Sequence, residues 1–321
     1  GISNATQHVR AVLPLGASSR PPAPPGSALK MGNACMTGPV TDVEGVFVVP
    51  EAGFSIPVRT VARMGWVPDL PDYRDKVLAL PPHKTKNLPK AKDLRPRDDF
   101  PVYDQGDLGS CTANAIGAAF HFNLVKQKLA DLAPSRLFIY YNERAMSGNT
   151  DKDTGASMRD GIISVEKLGV CDEGLWPYDI DVFTQKPPSS AYLVAIKNTA
   201  KEYARVPQKL DDLRGCINEG FPFVFGFMVF SSFMSREVAD TGRMKWPTAH
   251  DRLLGGHAVM CVGYDDDAQT FLVRNSWGEN WADHGYFYMP YAYMLHTALV
   301  RDIWTIRFVD GVEFPTTTGR K

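Results

Sequence analysis

The sequence predicts an α+β domain in which helices come first and an antiparallel sheet comes second. Helical periodicity dominates residues 111–168, whereas short apolar and aromatic segments typical of strands dominate from residue 221 onward. Because these elements are segregated along the chain and do not alternate, the pattern favours a helical half packed against a barrel-like half. No internal repeat is visible in the sequence.

The first 85 residues are predicted to be an N-terminal extension, ahead of a domain at 86–321. Residues 1–42 are rich in Pro, Gly, Ala and Ser and are expected to be extended. Residues 45–58 are expected to form short strands about a turn. The prolines in residues 65–95 exclude a long helix there.

The chain begins with Gly1, and its first methionine is Met31. We therefore expect residues 1–30 to be either the start of a processed product or sequence derived from an expression vector. They contain no apolar segment typical of a signal peptide, so a cytoplasmic and a secreted location both stay open.

Four segments are predicted to form helices because their apolar residues recur at helical spacing. The first begins at Cys111, directly after Ser110, which is expected to cap it. The predicted helices lie at 111–129, 134–146, 157–168 and 211–219.

The second half of the chain contains the short apolar and aromatic segments of an antiparallel sheet. Two of them flank the acidic stretch 265–269, which predicts a hairpin with an acidic turn. The predicted strands lie at 221–230, 257–264, 270–275, 286–290 and 304–309.

Charge and composition argue against several classes of protein. The 35 basic and 36 acidic residues give a net charge of −1, which does not favour nucleic acid or an anionic membrane as a partner. No apolar run is long enough to span a membrane. The five cysteines form no CxxC pair and no zinc spacing, so no metal or cofactor is expected, and their odd number leaves at least one thiol free.

One cysteine stands at a position suited to nucleophilic catalysis. Cys111 opens the first predicted helix, where the helix dipole lowers the pKa of a thiol. His257 begins a predicted strand in the other half, and an adjacent imidazolium would lower that pKa further. If the two halves meet there, a thiolate–imidazolium pair is expected between them.

Two amide side chains complete a catalytic set. Asn275 ends the neighbouring strand of the hairpin, where its oxygen is expected to accept a hydrogen bond from His257 and orient the ring. Trp277 is expected to shield that bond from water. Gln105, just ahead of Cys111, is expected to donate its amide N–H to a developing oxyanion beside the Cys111 backbone N–H.

These motifs resemble the papain family of cysteine peptidases, in particular its bacterial branch, over roughly residues 86–310. The matching segments are Gln105-Gly106-x-x-Gly109-Ser110-Cys111, Gly256-His257-Ala258-Val259, Asn275-Ser276-Trp277-Gly278-x-x-Trp281-x-x-x-Gly285-Tyr286 and the loop at 169–178. The resemblance implies a two-lobed fold, with a helical left lobe, a β-barrel-like right lobe and the cleft between them. It also implies a monomeric endopeptidase that cleaves a protein or peptide substrate through an acyl-enzyme.

The resemblance further implies which residues bind the substrate. They are Gly155, Ala156, Ser157, Gly255, Gly256 and Trp277. The first three replace a double glycine that hydrogen-bonds the substrate backbone in the family. The two glycines before His257 line the pocket for the second substrate side chain.

Two departures from the family pattern lie beside the nucleophile. Leu108 stands where the family usually has a cysteine, so the disulfide usual there is missing. Thr112 replaces the aromatic residue that usually follows the nucleophile. Few or no disulfides are therefore expected.

The family usually carries an N-terminal inhibitory segment that lies in the cleft. Residues 1–85 lack the long helix usual for such a segment, but we hypothesise that their extended, Pro-rich part threads the cleft as in a zymogen, with Cys35 near it. Two rival functions stay open. An amide hydrolase or transpeptidase would use the same chemistry with another acceptor, and a non-catalytic binding protein would not need the complete catalytic set.

Overall fold

A computed structural model describes residues 64–95, 100–129 and 132–311. All of these residues belong to one compact unit. The strands expected at 45–58 lie outside the described residues. As its prolines predict, the segment 64–95 contains no long helix, and its one helical element is a 3₁₀ turn at Pro82–Lys84.

The four helices expected from apolar periodicity are confirmed, with ends within a few residues of the predicted ones. The first ends earlier than residue 129 because Lys128 adopts a positive φ of 57°, which breaks the helical backbone. In the described residues the α-helices are α1 (Cys111–Lys126), α2 (Arg136–Met146), α3 (Met158–Lys167), α4 (Ser189–Ala195), α5 (Leu210–Asn218), α6 (Arg236–Thr241) and α7 (Tyr291–Met294). Helices α4, α6 and α7 have seven residues or fewer and are too short for periodicity to reveal.

The predicted strands are also confirmed, and four further strands appear. The strands of the described residues are β1 (Trp66–Val67), β2 (Ala91–Asp93), β3 (Ala156–Ser157), β4 (Ala200–Arg205), β5 (Phe223–Phe230), β6 (Leu253–Asp265), β7 (Thr270–Arg274), β8 (Tyr286–Pro290) and β9 (Val300–Val309). β6 and β7 form the expected hairpin, with Asp265 paired to Thr270 across the acidic turn.

The antiparallel sheet has seven strands. Six follow the order β4-β9-β5-β6-β7-β8, and the seventh, β2, pairs with β6. The barrel-like half expected from the sequence is an open sheet, because the path starts at β4 and ends at β8, and no pairing closes it within the described residues. β1 and β3 form a separate parallel pair.

The central strand β5 explains why this region is apolar on both faces. Val224 packs in the cluster that contains α1, whereas Phe223, Phe225 and Phe227 pack in an aromatic cluster on the opposite face. A strand buried on both faces has no polar alternation, which is the pattern read from residues 221–230.

Helix α1 packs directly on β6, so the N-terminal turn of the helix lies near the strand that carries His257. This contact between the helical half and the sheet positions the candidate site. In the described part of the chain, no helix is both long and apolar enough to cross a membrane.

Candidate active site

His257 and Asn275 meet because β6 and β7 are neighbours in the sheet. The Nε2 of His257 lies 2.8 Å from the Oδ1 of Asn275, and both side chains are buried. An amide oxygen only accepts, so Nε2 carries the proton and Nδ1 is the basic nitrogen. The Asn275 oxygen also accepts the Ser276 N–H at 2.9 Å, which fixes the orientation of the amide.

An aromatic cluster encloses this pair. The indole of Trp277 stacks on the imidazole of His257 with the ring centroids 5.0 Å apart, and Phe227 meets the same imidazole edge-on. Trp277 itself packs against Phe233 and Trp281. The stacking places Trp277 where it excludes water from the His257–Asn275 bond.

Cys111 is the first residue of α1 and is fully buried. The backbone N–H groups of Ala258 and Gly65 lie near its thiol and act to lower the pKa of the thiol against the larger effect of burial. Since Ala258 follows His257 on β6, the thiol lies beside the strand that carries the imidazole. Ser110 does not cap the helix as expected, because its hydroxyl bonds to the Tyr178 hydroxyl at 2.5 Å.

The electrostatics of this state differ from the expected thiolate–imidazolium pair. Burial raises the pKa of Cys111 to about 12, and burial lowers the pKa of His257 to about 4 although Asn275 opposes the shift. Both shifts disfavour the charged form of the group. Near neutral pH the site therefore contains a thiol and a neutral imidazole.

Gln105 joins the nucleophile loop to the segment that carries Asn275. Its Oε1 accepts the Ser276 hydroxyl at 2.7 Å, and its Nε2 donates to the Leu108 carbonyl at 3.0 Å. Its backbone N–H also donates to the Ser276 carbonyl. Ser276 lies in the predicted motif, but the sequence does not reveal that it orients Gln105.

The predicted substrate-binding strand is occupied by the chain itself. Ala156 and Ser157 form β3, which pairs in parallel with Trp66 and Val67 of β1. The Ala156 N–H donates to the Gly65 carbonyl at 2.8 Å. The backbone of residues 64–67 therefore takes up the hydrogen bonds that the sequence assigns to a substrate.

Two glycines leave room for this segment. A Cβ at Gly65 would lie 1.7 Å from the Gly109 carbonyl oxygen, and a Cβ at Gly155 would lie 2.1 Å from the Gly65 carbonyl oxygen. Gly65 thus fits in a slot between Gly109 and Gly155 that admits backbone atoms only.

The two glycines before His257 contact the same segment. A Cβ at Gly255 would lie 2.7 Å from the Met64 side chain, and one at Gly256 would lie 2.6 Å from the Trp66 ring. Trp66 is buried and packs on Gly226 as well. Trp277, the remaining predicted substrate-binding residue, packs on the imidazole of His257.

Thr112 has a physical role that explains its departure from the family pattern. Its hydroxyl donates to Oε1 of Glu143 at 2.6 Å, deep beneath the first turn of α1. Glu143 is fully buried, and burial raises its pKa to about 8. Sequence reasoning missed Glu143 because a carboxylate in α2 carries no local signal of its partner in α1.

Among the described residues, no group of three or more His, Cys, Asp or Glu side chains is arranged to hold a metal ion.

Comparison with known proteins gives the family. The sequence profile of the papain family cysteine proteases matches residues 88–299. The structure resembles that of xylellain, a cysteine protease from Xylella fastidiosa, with a TM-score of 0.73 and 41% identity over 81% of this chain and 100% of that chain. An uncharacterized peptidase C1-like protein of Acanthamoeba polyphaga mimivirus is 38% identical over 275 residues, which cover 78% of this chain and 88% of the viral protein.

A more distant structure shares the fold. Procathepsin L 3 from the larval midgut of Tenebrio molitor has a TM-score of 0.55 at 20% identity, over 68% of this chain and 70% of that chain. The α+β fold and the site motifs define a thiol hydrolase. The chain belongs to the papain family of cysteine proteases.

Proposed function

We propose that this protein is a cysteine endopeptidase that uses Cys111, His257 and Asn275 as its catalytic triad. The observation that carries the proposal is the 2.8 Å bond from His257 Nε2 to Asn275 Oδ1, which leaves Nδ1 as the base. Ala258 follows His257 on β6, and its N–H lies near enough to the Cys111 thiol to act on the pKa of that thiol, which supports a thiol beside that base.

The reaction follows from these positions. Nδ1 of His257 takes the thiol proton, and the Cys111 sulfur attacks the substrate carbonyl carbon. Gln105 and the Cys111 backbone N–H donate hydrogen bonds to the oxyanion. The imidazolium protonates the leaving amine, and a water deprotonated by His257 then releases the acyl-enzyme.

The path of residues 64–67 supports action within a chain. Residues 64–67 are an internal stretch of the chain and lie beside Cys111 and β3, so the cleft accepts backbone that is not a chain terminus. An internally quenched peptide with blocked ends tests the proposal. We expect turnover that is abolished in Cys111→Ala, and hydrolysis confined to substrates with a free terminus would contradict the endopeptidase mode.

We also propose that residues 64–67 restrain the enzyme as the last part of an N-terminal inhibitory segment, with the catalytic domain beginning near residue 86. The position of the Gly65 backbone N–H near the thiol and the pairing of β1 with β3 support this. Cys111 is fully buried in this covered state, and burial raises the pKa of its thiol.

A network of ion pairs supports the same proposal by fixing the residues that follow β1. Asp69 has a fully buried side chain and pairs with Arg205 at 2.6 Å. Asp75 pairs with Arg159 at 2.6 Å and with Arg205 at 2.5 Å. The Asp69 backbone N–H donates to Asp302 at 2.7 Å. These contacts tie residues 69–75 to α3, β4 and β9.

A truncation tests the restraint. A chain that starts at Pro68 keeps Asp69 and Asp75 but lacks the residues that contact Cys111. We expect it to cleave the quenched peptide faster than the full chain, whereas a chain that starts at residue 60 should behave like the full chain. Equal rates in all three proteins would contradict the restraint.

A further inference from the structure

The loop that carries the nucleophile is held from the side of β3 by the carboxylate of Asp153. Asp153 lies between α2 and β3, and both of its oxygens accept the backbone N–H of Gly109, at 3.2 and 3.1 Å. Gly109 is two residues before Cys111. The carboxylate therefore reaches across from the substrate-pairing strand to the loop on which the position of the thiol depends.

The same carboxylate is tied to the strand through Tyr140. The Tyr140 hydroxyl donates to Asp153 Oδ1, and it accepts the N–H of Gly155 at 3.2 Å. Burial and the neighbouring Asp153 charge raise the pKa of Tyr140, so the hydroxyl keeps its proton and remains a donor. Asp153, Tyr140 and Gly155 thus form a continuous link from Gly109 to the start of β3.

The backbone ahead of Asp153 is held by a buried arginine. Nη1 of Arg144 donates to the carbonyls of Thr150 and Lys152, at 2.9 Å each. Nη2 of Arg144 donates to the Phe183 carbonyl at 2.5 Å. Because the guanidinium fixes several carbonyls at once, Asp153 projects from a rigid loop and is placed accurately.

We propose that Asp153 is a positioning residue that sets the spacing between the nucleophile loop (residues 105–110) and β3. The loop has Leu108 in place of the usual cysteine, so it has no disulfide there to hold it. The inference rests on the proposed function, because it assigns to Asp153 the alignment of the Cys111 sulfur with a substrate held on β3.

The spacing matters because the slot between Gly109 and Gly155 is one backbone wide. At present Gly65 fills it and bonds to Ala156. When residues 64–67 leave, the hydrogen bonds of Asp153 to Gly109 remain and keep the slot ready for a substrate backbone. Misplacing the reacting atoms by about 1 Å costs roughly 10²-fold in rate.

The test uses the full chain and the full chain carrying Gly65→Ala, with peptide turnover normalised to titrated active sites. We expect Asp153→Ala to lower kcat/KM about 10²-fold, with a fall in kcat, and Asp153→Asn to lower it less because one acceptor for Gly109 is kept. Asp151→Asn, in the same loop but exposed, is the matched control and should match its parent. The effects of Asp153→Asn and Tyr140→Phe on kcat/KM should be non-additive in the double variant.

A second readout does not depend on activity. The amide hydrogen of Gly109 should exchange with solvent much faster in Asp153→Ala than in the parent or in Asp151→Asn. Unchanged exchange, or an active parent whose kcat/KM survives Asp153→Ala within twofold, would overturn the positioning role. A parent that exchanges as expected but cleaves no peptide would instead count against the proposed function.

Discussion

The two walls of the site are held by different forces. On the imidazole wall, His257 and Asn275 lie on paired strands, and Trp277 and its aromatic neighbours pack around them. On the nucleophile wall, Cys111 follows an irregular loop that is held by side-chain hydrogen bonds. Asp153 accepts one from the Gly109 N–H, and Tyr178 donates one to the Gln105 carbonyl. A wall built from strands and apolar packing is secured by many contacts, whereas the loop depends on a few polar atoms.

The comparison predicts that the imidazole wall fails by loss of packing. Trp277→Ala should lower the free energy of unfolding by about 3–5 kcal/mol, since it removes a buried indole from an aromatic cluster. Chemical denaturation monitored by circular dichroism measures the change. Trp246→Ala, at a half-exposed tryptophan, is the control and should cost much less. Similar losses in the two variants would contradict the account of this wall.

Gln105 links the two walls, because its side chain bonds to Leu108 on one side and to Ser276 on the other. Gln105→Ala should lower kcat by about 10²–10³-fold through loss of an oxyanion donor. Steady-state kinetics on the quenched peptide gives the value. A loss below tenfold would remove Gln105 from the mechanism.

The ion-pair network that follows β1 should control how long the segment stays in the slot. Asp69→Asn removes the charge that pairs with Arg205. It should raise the fraction of molecules in which residues 64–67 have left Cys111 (the uncovered fraction), and hence the turnover, about tenfold. Asp72→Asn breaks an exposed pair with Arg74 and serves as the control. If the two variants have the same turnover, this network does not hold the segment.

Acid should favour uncovering of the site. Burial lowers the pKa of His257 to about 4 in the covered state. Below about pH 6.5 the imidazole of His257 therefore binds fewer protons in the covered state than it does when it is solvated. The covered state therefore loses relative stability as the pH falls from about 6.5 to 5. Asp302, whose pKa is raised by burial and by Asp69, acts in the opposite direction.

The fluorescence of Trp66 reports this change. Subtracting the emission spectrum of Trp66→Phe from that of the wild type isolates the contribution of Trp66. This contribution should shift to longer wavelength between pH 7 and pH 5, because the uncovered fraction rises severalfold. An emission difference that stays constant from pH 7 to 5 would contradict the assigned role of His257.

The sequence predicts those parts of the site whose signal is local. The hairpin of β6 and β7 follows from two apolar segments about an acidic turn, and it places Asn275 beside His257. The position of Cys111 at the start of α1 follows in the same way. The neutral state of both groups could not be predicted, because it depends on residues 64–67 packing over the thiol, far along the chain from His257.

Asp153 shows the same limit for the nucleophile wall. It is 44 residues from Gly109 in sequence, and an acidic residue in a loop is usually solvated, so no pattern marks it as a partner of the nucleophile loop. For Ser110 the sequence predicts an interaction that the structure does not contain. Its position predicts a helix cap, but the Tyr178 hydroxyl competes for its side chain.

The central claim is that residues 64–67 close the site over Cys111. The most direct measurement is the rate of alkylation of Cys111 by iodoacetamide, followed by mass spectrometry, in the full chain and in its Gly65→Ala and Asp151→Asn variants. A Cβ at residue 65 meets the Gly109 backbone, whereas the side chain of Asp151 is exposed. We predict a rate at least about tenfold higher in Gly65→Ala alone, and equal rates in all three proteins would contradict the claim.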